Sequence, residues 1–310
     1  MKYALFLGCT IPIRGQNYEI SARKVAEALG MEFVDIEEFG CCGFPVKSTD
    51  AKATTLLAAR NLAFASREGL EICTLCNACT AVLSGAAKKL DNDEKLRNII
   101  NEELKEIGLE YKPGVKVRHF SRILFEDFGP EIISKTVKAD MSDFSFSIHY
   151  GCHYLRPHDM YDGFDNPENP VTVEKLTEAT GARVQDYKGK LECCGGAILG
   201  VDQDIALRMA GKKLGNVTSN NVDALITICP FCTIMYEDNQ KKIEEVLEKE
   251  FNLPVLYYPQ VLGLAMGIDP KELGFRLNKV KTKDLLQKFE DANPPETSGS
   301  NEPVTQEAIQ

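Results

Sequence analysis

Thiolates bind soft metals and carry redox chemistry, so the eleven cysteines of this 310-residue sequence are the residues to read first. They stand at Cys9; Cys41 and Cys42; Cys73, Cys76 and Cys79; Cys152; Cys193 and Cys194; Cys229 and Cys232. Each half of the chain thus offers a single cysteine, then an adjacent pair, then a Cys-x-x-Cys. From the pair to the Cys-x-x-Cys there are 33 intervening residues in the first half if Cys76 opens the motif, and 34 in the second. Opening at Cys73 gives 30. The local text favours Cys76, because LCNACT matches ICPFCT, and it leaves Cys73 over as the odd cysteine.

The surroundings of the cysteines repeat as well. LGCT at Leu7–Thr10 matches YGCH at Tyr150–His153, and GCCGF at Gly40–Phe44 matches ECCGG at Glu192–Gly196. VKVRHFSRIL at Val115–Leu124 matches LPVLYYPQVL at Leu253–Leu262. The offsets are 143, 152, 153 and 138 residues from the first cysteine to the closing strand. Such a period is far longer than a solenoid unit and describes a duplicated domain. One copy is expected at residues 1–144 and the other at 145–291. The Pro/Ser/Glu-rich tail 292–310 is expected to be disordered.

Five thiols per copy exceed the four ligands of a structural zinc site, and side chains of adjacent cysteines converge poorly on one small tetrahedral ion. They can hold different atoms of a larger cluster, so iron–sulfur chemistry is the favoured reading. Gly40 and Gly43 flank one pair and Gly195 and Gly196 follow the other, where close backbone approach is needed. The Cys-Pro-Phe-Cys at Cys229–Cys232 also matches a thioredoxin-like redox pair, but that leaves the vicinal pair and the repeat unexplained.

The elements that must position these thiols read as alternating strand and helix. Strands are expected at Lys2–Thr10, Glu32–Phe39 and Glu71–Leu75, and again at Phe144–Tyr150, Arg183–Tyr187 and Ala224–Ile228. Helical spacing covers Tyr18–Leu29, Thr54–Glu68, Val171–Thr180 and Ile205–Asn216, with Gly30 and Gly181 as terminating glycines. Further helices after Cys79 and Cys232 are expected to aim their N–H groups at an anionic cluster. The run KKIEEVLEKE within 239–250 reads as a solvated helix face. Alternation of this kind implies α/β architecture with parallel sheets, and cysteine motifs at the carboxyl ends of strands, where such sheets bind ligands.

Composition narrows the function. With 44% hydrophobic and 26% charged residues the chain can bury cores. A net charge of −10 argues against nucleic-acid binding. No apolar run approaches the roughly 20 residues of a membrane span. The opening MKYALFLGCT is too short an apolar run for a secretory signal, so a reducing, cytoplasmic setting is expected.

The doubled pattern Cys, Cys-Cys-Gly, Cys-x-x-Cys resembles the cysteine-rich CCG domain family over almost all of residues 1–291, and within it the B subunits of heterodisulfide reductases of methanogenic archaea. The resemblance implies two duplicated α/β domains related by pseudo-twofold symmetry. It implies a noncubane 4Fe–4S cluster on Cys9, Cys41, Cys42, Cys76 and Cys79, and another on Cys152, Cys193, Cys194, Cys229 and Cys232. The implied reaction is reduction of the coenzyme M–coenzyme B heterodisulfide to two thiols. The implied partners are the ferredoxin-like protein and the flavin-containing protein that complete such a reductase, in an electron-bifurcating complex fed by hydrogenase or formate dehydrogenase. Some relatives carry ferredoxin-type cysteine runs in the same chain; this sequence has none. Cys73 departs from the pattern.

Two facing clusters could each reduce and capture one sulfur of a disulfide, which is a proximity effect. His153, directly after Cys152, is a candidate proton donor, with packing as its alternative. Lys47, Arg156, His158 and Lys190 lie near cysteine motifs and are candidates for an anionic substrate. Phe44, Pro45 and Phe231 either shield the clusters or pack the core. Two rival functions stand beside the reductase: an electron-relay component of a hydroxy-acid oxidase or fumarate reductase-type complex, and a zinc-stabilised structural component.

Overall fold

A computed structural model of the chain describes residues 1–294. Two four-stranded, all-parallel sheets carry the fold. The first contains β1 (Lys2–Phe6), β2 (Glu32–Val34), β3 (Glu71–Thr74) and β4 (Val117–His119) in the order β2-β1-β3-β4. The second contains β5 (Ser145–His149), β6 (Arg183–Val184), β7 (Ala224–Thr227) and β8 (Val255–Tyr257) in the order β6-β5-β7-β8. The same order twice, with equivalent registers such as Leu5 opposite Cys73 and Ile148 opposite Ile226, is the duplication in three dimensions.

The strands are shorter than their apolar text. β1 stops at Phe6 because Gly8 takes φ +65°, a left-handed turn that breaks extension and throws Cys9 over the sheet's carboxyl end. β6 stops at Val184, and Tyr187 leaves the sheet to donate its hydroxyl to the Ile148 carbonyl (3.2 Å). The long helices match the expected spacing. Ala51–Glu68 is capped by Asp50, which accepts from Ala53 N (2.8 Å), and Gln203–Thr218 by Asp202, which accepts from Ile205 N (3.0 Å). Gly30 and Gly181 follow their helices at positive φ. The helix Gln240–Leu247 buries only Gln240 and Ile243, so KKIEEVLEKE is largely a solvent face. The expected tail begins at the end of the helix Lys283–Ala292, and residues 295–310 lie outside the described residues.

One expectation is corrected at the Cys-x-x-Cys motifs. The first helix does not follow Cys79; it is Asn77–Asn92, with Cys76 at its N-cap and Cys79 inside its first turn. Likewise Cys229 caps the helix Pro230–Thr233, which contains Cys232. The reason is periodicity: residues three apart share a helix face, so both thiols of each motif point the same way.

The buried side chains form two clusters, and each draws on both halves. Leu5, Cys73, Phe146, Ile148 and Ile226 belong to one. Ala4, Phe6, Ile72, Leu225 and Val255, with Cys42, Cys76, Cys79, Cys194, Cys229 and Cys232, belong to the other. Strand alternation sorts them, since successive residues face opposite sides. Tyr18 of the first half stacks on Tyr257 of the second with centroids 4.1 Å apart.

Candidate metal centres

In each sheet the two central strands, β1 and β3 in the first and β5 and β7 in the second, are not consecutive, and the connections that follow them leave to opposite flanks, which is the switch point where open α/β sheets bind ligands. Cys9 follows β1 and Cys76 follows β3; Cys152 follows β5 and Cys229 follows β7. The vicinal pairs arrive from the loops before Ala51–Glu68 and Gln203–Thr218. Their glycines are required by the backbone. Gly43 (φ +95°) and Gly195 (φ +84°) occupy left-handed conformations, and a Cβ would lie 3.0 Å from Thr54 O at the first and 2.8 Å from Ala206 O at the second. Their N–H groups donate to Cys41 Sγ (3.4 Å) and Cys193 Sγ (3.3 Å). Below each Cys-x-x-Cys a threonine pair repeats: Thr74–Thr80 hydroxyls at 2.6 Å and Thr227–Thr233 at 2.7 Å.

The thiols meet in a continuous chain of neighbours. Cys41 pairs with Cys9 and Cys42, Cys42 with Cys79, and Cys79 with Cys76. In the second half Cys193 pairs with Cys194, Cys194 with Cys232, and Cys232 with Cys229. Cys76 and Cys229 pair across the two halves. Cys152 feels the charges of Cys194 and Cys229. Negative charge concentrates on a few of these sulfurs. The Cys79 thiol brings Cys42 down to about 7; Cys193 and Cys232 hold Cys194 well below a free thiol; Cys232 and Cys76 do the same to Cys229. Their partners are pushed up in return: Cys76 chiefly by Cys229, Cys79 by Cys42, Cys193 and Cys232 by Cys194. Crowded thiols cannot all ionise together without cations among them. Five sulfurs converging in each half therefore fit a multi-iron cluster. The backbone is shaped for close approach as well: a Cβ at Gly8 would lie 3.0 Å from Cys79 Sγ, and one at Gly151 3.3 Å from Cys232 Sγ.

Cys73 stands apart. It is fully buried opposite Leu5, on the sheet face away from the thiol chain. Burial pushes its thiol well up, Glu71 adds to this, and Arg118 opposes it.

Beside the second array, Phe44, Asn77 and Ala78 of the first half close a cavity with Cys152, His153, Cys193, Cys194, Ala197, Cys229, Phe231 and Cys232. His153 meets the Phe44 ring edge-on (5.3 Å), and its buried Nδ1 has no partner. Burial lowers its pKa, and the nearby Lys47 lowers it further. Of the cationic candidates, Lys47 is exposed near this mouth, whereas the others have protein partners. Arg156 donates to Pro167 O (2.9 Å), His158 Nε2 bonds Asp165 O (3.1 Å), and Lys190 pairs with Glu174 (2.9 Å) and Asp186 (3.3 Å). Phe44 and Phe231 are half-buried at this junction, and Pro45 is exposed.

Three functional neighbours were not singled out by the sequence. Asn77 donates to Tyr150 O across the halves (2.6 Å), while its buried Oδ1 has no partner. His149 Nε2 lies 3.2 Å from Cys232 Sγ, and the ligand atoms of His149, Cys194 and Cys232 all lie within 4.8 Å of one another. Lys213, 1% exposed, reaches His149 Nδ1 at 3.0 Å. A signal existed for Lys213: it falls in helical phase with the buried Ala206, Ala210 and Val217.

The cysteine-rich CCG domain model matches residues 3–84 and 146–237. The chain belongs to the CCG family. It is similar to the B subunit of the ferredoxin/F420H2-dependent CoB-CoM heterodisulfide reductase of Methanosarcina acetivorans, 35% identical over 93% of this chain and 97% of that one. It is also similar to the 8-methylmenaquinol:fumarate reductase membrane anchor subunit of Wolinella succinogenes, 29% identical over 92% of this chain and 99% of that one. A crystal structure of a hypothetical protein from Helicobacter pylori shares the fold, with TM-score 0.76 and 18% identity, over 90% of this chain and 52% of that one. No helix among the described residues is long and apolar enough to cross a membrane.

Proposed function

We propose that this CCG protein is the component of a heterodisulfide reductase that cleaves the coenzyme M–coenzyme B disulfide. Its two halves, 1–144 and 145–291, would each hold one noncubane 4Fe–4S cluster, on Cys9, Cys41, Cys42, Cys76 and Cys79 in the first and on Cys152, Cys193, Cys194, Cys229 and Cys232 in the second. The observation that carries the reading is the pairing of Cys76 with Cys229, which brings two equivalent cysteine arrays to one junction. Such an arrangement suits a reaction with two equivalent sulfur acceptors: one disulfide, two electrons and two protons give two thiols. Bound clusters would supply the electrons, one each, and iron with affinity for thiolate.

The chain's own side chains have separate tasks. Phe44 and Phe231 keep water from the junction, which strengthens electrostatic interactions there. His153, whose buried Nδ1 has no hydrogen-bond partner, would pass a proton to a product sulfur. Lys47 offers a cation to the anionic end of a substrate. The electron donors would be a ferredoxin-like partner protein and a flavin-containing partner protein in the cytoplasm, within a bifurcating complex fed by hydrogenase or formate dehydrogenase. The likeness to the Wolinella protein favours one second reading, a relay in a fumarate reductase-type complex.

Anaerobically purified protein should contain about eight irons and matching acid-labile sulfide, four per cluster. It should cleave the heterodisulfide with a reduced viologen as donor. Cys41→Ala and Cys193→Ala, each lacking one cluster, should both lose cleavage. Two zincs without sulfide would overturn the reading, and full turnover by a variant shown to lack a cluster would refute the two-site mechanism in favour of a relay.

A further inference from the structure

The repeat is broken at two positions that touch the second array. At the 143-residue offset His149 stands where the first half has Phe6, and at the 152-residue offset Lys213 stands where it has Asn61. The elements around them are equivalent. His149 ends β5 as Phe6 ends β1, and Lys213 lies eleven residues beyond the Asp202 cap as Asn61 lies eleven beyond Asp50. Asn61 Oδ1 accepts from Gly40 N (2.9 Å) and its Nδ2 donates to Cys41 O (3.1 Å), so it steadies the first vicinal pair while carrying no charge. Lys213 Nζ donates to Lys190 O (3.0 Å) and to Glu192 O before the second pair, and it also reaches His149 Nδ1 at 3.0 Å. Phe6 packs on Phe39, with centroids 5.1 Å apart. His149 packs edge-on against Tyr236 and directs Nε2 at Cys232 Sγ (3.2 Å).

These contacts fix a tautomer. An ammonium has three N–H donors and no acceptor, and Lys213 has three acceptors around it. His149 Nδ1 must then accept, so the ring proton sits on Nε2 and is donated to the Cys232 sulfur. Three acceptors around Nζ match the three donors of an ammonium; burial lowers its pKa, and the Cys232 and Cys194 sulfurs oppose the fall. The second array thus has a buried positive charge and a hydrogen bond to a ligand sulfur, and the first has Asn61 and Phe6 instead.

We propose that Lys213 is a positioning residue which, through His149, makes the second cluster easier to reduce than the first. This rests on the proposed function, in which each array holds a cluster. Reduction adds negative charge, and charge and hydrogen bonds at the sulfurs set cluster potentials. The ammonium and the Nε2–H both favour the more negative, reduced state, and burial leaves them little screened. The pair of sites acquires a direction: electrons reaching the junction settle preferentially in the second half.

The test uses the full chain in a Cys41→Ala background, where only the second cluster remains, and a Cys193→Ala background, where only the first does. Iron and sulfide are counted before each redox titration, which is followed by electron paramagnetic resonance. Lys213→Gln should lower the second cluster's reduced-to-oxidised ratio by about tenfold at a fixed solution potential, the scale of one hydrogen bond to a charged group. The first cluster should not respond. The double variant Lys213→Asn with His149→Phe, which copies the first half, should bring the two potentials together. A charge-retaining control, Lys213→Arg, should keep most of the bias if charge is the cause. Missing iron in the unsubstituted protein would mean that the cluster reading has failed. A full cluster with an unmoved potential, an equal shift in both clusters, or loss of the second cluster's iron from both Lys213→Gln and the double variant would overturn the present inference.

Discussion

Cysteine position within the fold, more than cysteine number, separates the ten thiols of the two arrays from the eleventh. Cys73 and Cys76 are three residues apart, yet Cys73 is on the far face of β3 and Cys76 caps a helix at the strand's end. Cys73→Ser should therefore retain both complements of iron while losing about 1–3 kcal/mol of stability, because a hydroxyl is placed in an apolar core. Cys76→Ser should lose one cluster's iron. Iron analysis and denaturant unfolding check both, and loss of a full cluster's iron from Cys73→Ser would show that the first array is registered on the wrong cysteine. The matching of LCNACT to ICPFCT made that register legible in the sequence. His149 and Lys213 were harder to see, because a histidine at a strand end and a lysine in a helix have many unremarkable explanations until their contacts are known.

At the scale of elements, the site depends on a turn more than on the helices beside it. The Cys-Cys-Gly turns put adjacent thiols in reach of different neighbours only because Gly43 and Gly195 are left-handed and pressed against the next helix. Gly195→Ala meets both obstacles, an unfavourable φ and a backbone oxygen 2.8 Å from the new Cβ. It should cost about 1–3 kcal/mol and release iron from the second site, leaving the first intact. Loss of the Asp202 cap in Asp202→Ala should cost about 1 kcal/mol with iron retained. The two melting temperatures and iron contents together separate damage to the turn from damage to the helix. Retention of both clusters by Gly195→Ala would show that the turn tolerates a side chain. The elements themselves were largely legible from periodicity. Their ends were not, because Gly8 and Tyr187 leave the sheets for reasons of backbone conformation and tertiary hydrogen bonding.

At the scale of the molecule, the two halves do not have separate cores. Both buried clusters draw on both halves, Tyr18 stacks on Tyr257, and His119 Nε2 and the Tyr18 hydroxyl both bond the Ile228 carbonyl. Heat unfolding of the iron-loaded protein should accordingly be a single calorimetric transition, and removing iron should lower its midpoint without splitting it. Two resolved transitions would show that the halves unfold independently. The sequence by itself determined that the protein is a duplicated α/β chain, that ten cysteines form two equivalent sets, and that one is left over. It could do so because repeats, strand and helix periods and ligand spacing are properties of the chain order. Only the tertiary structure decided that the two sets meet at Cys76 and Cys229, that Asn77 and Phe44 of one half border the other half's site, and that Lys213 and His149 make the two sites unequal. Those facts depend on residues brought together by packing from as far as 188 positions apart, Phe44 and Cys232, and no local pattern of residue types records which buried side chain will face which sulfur.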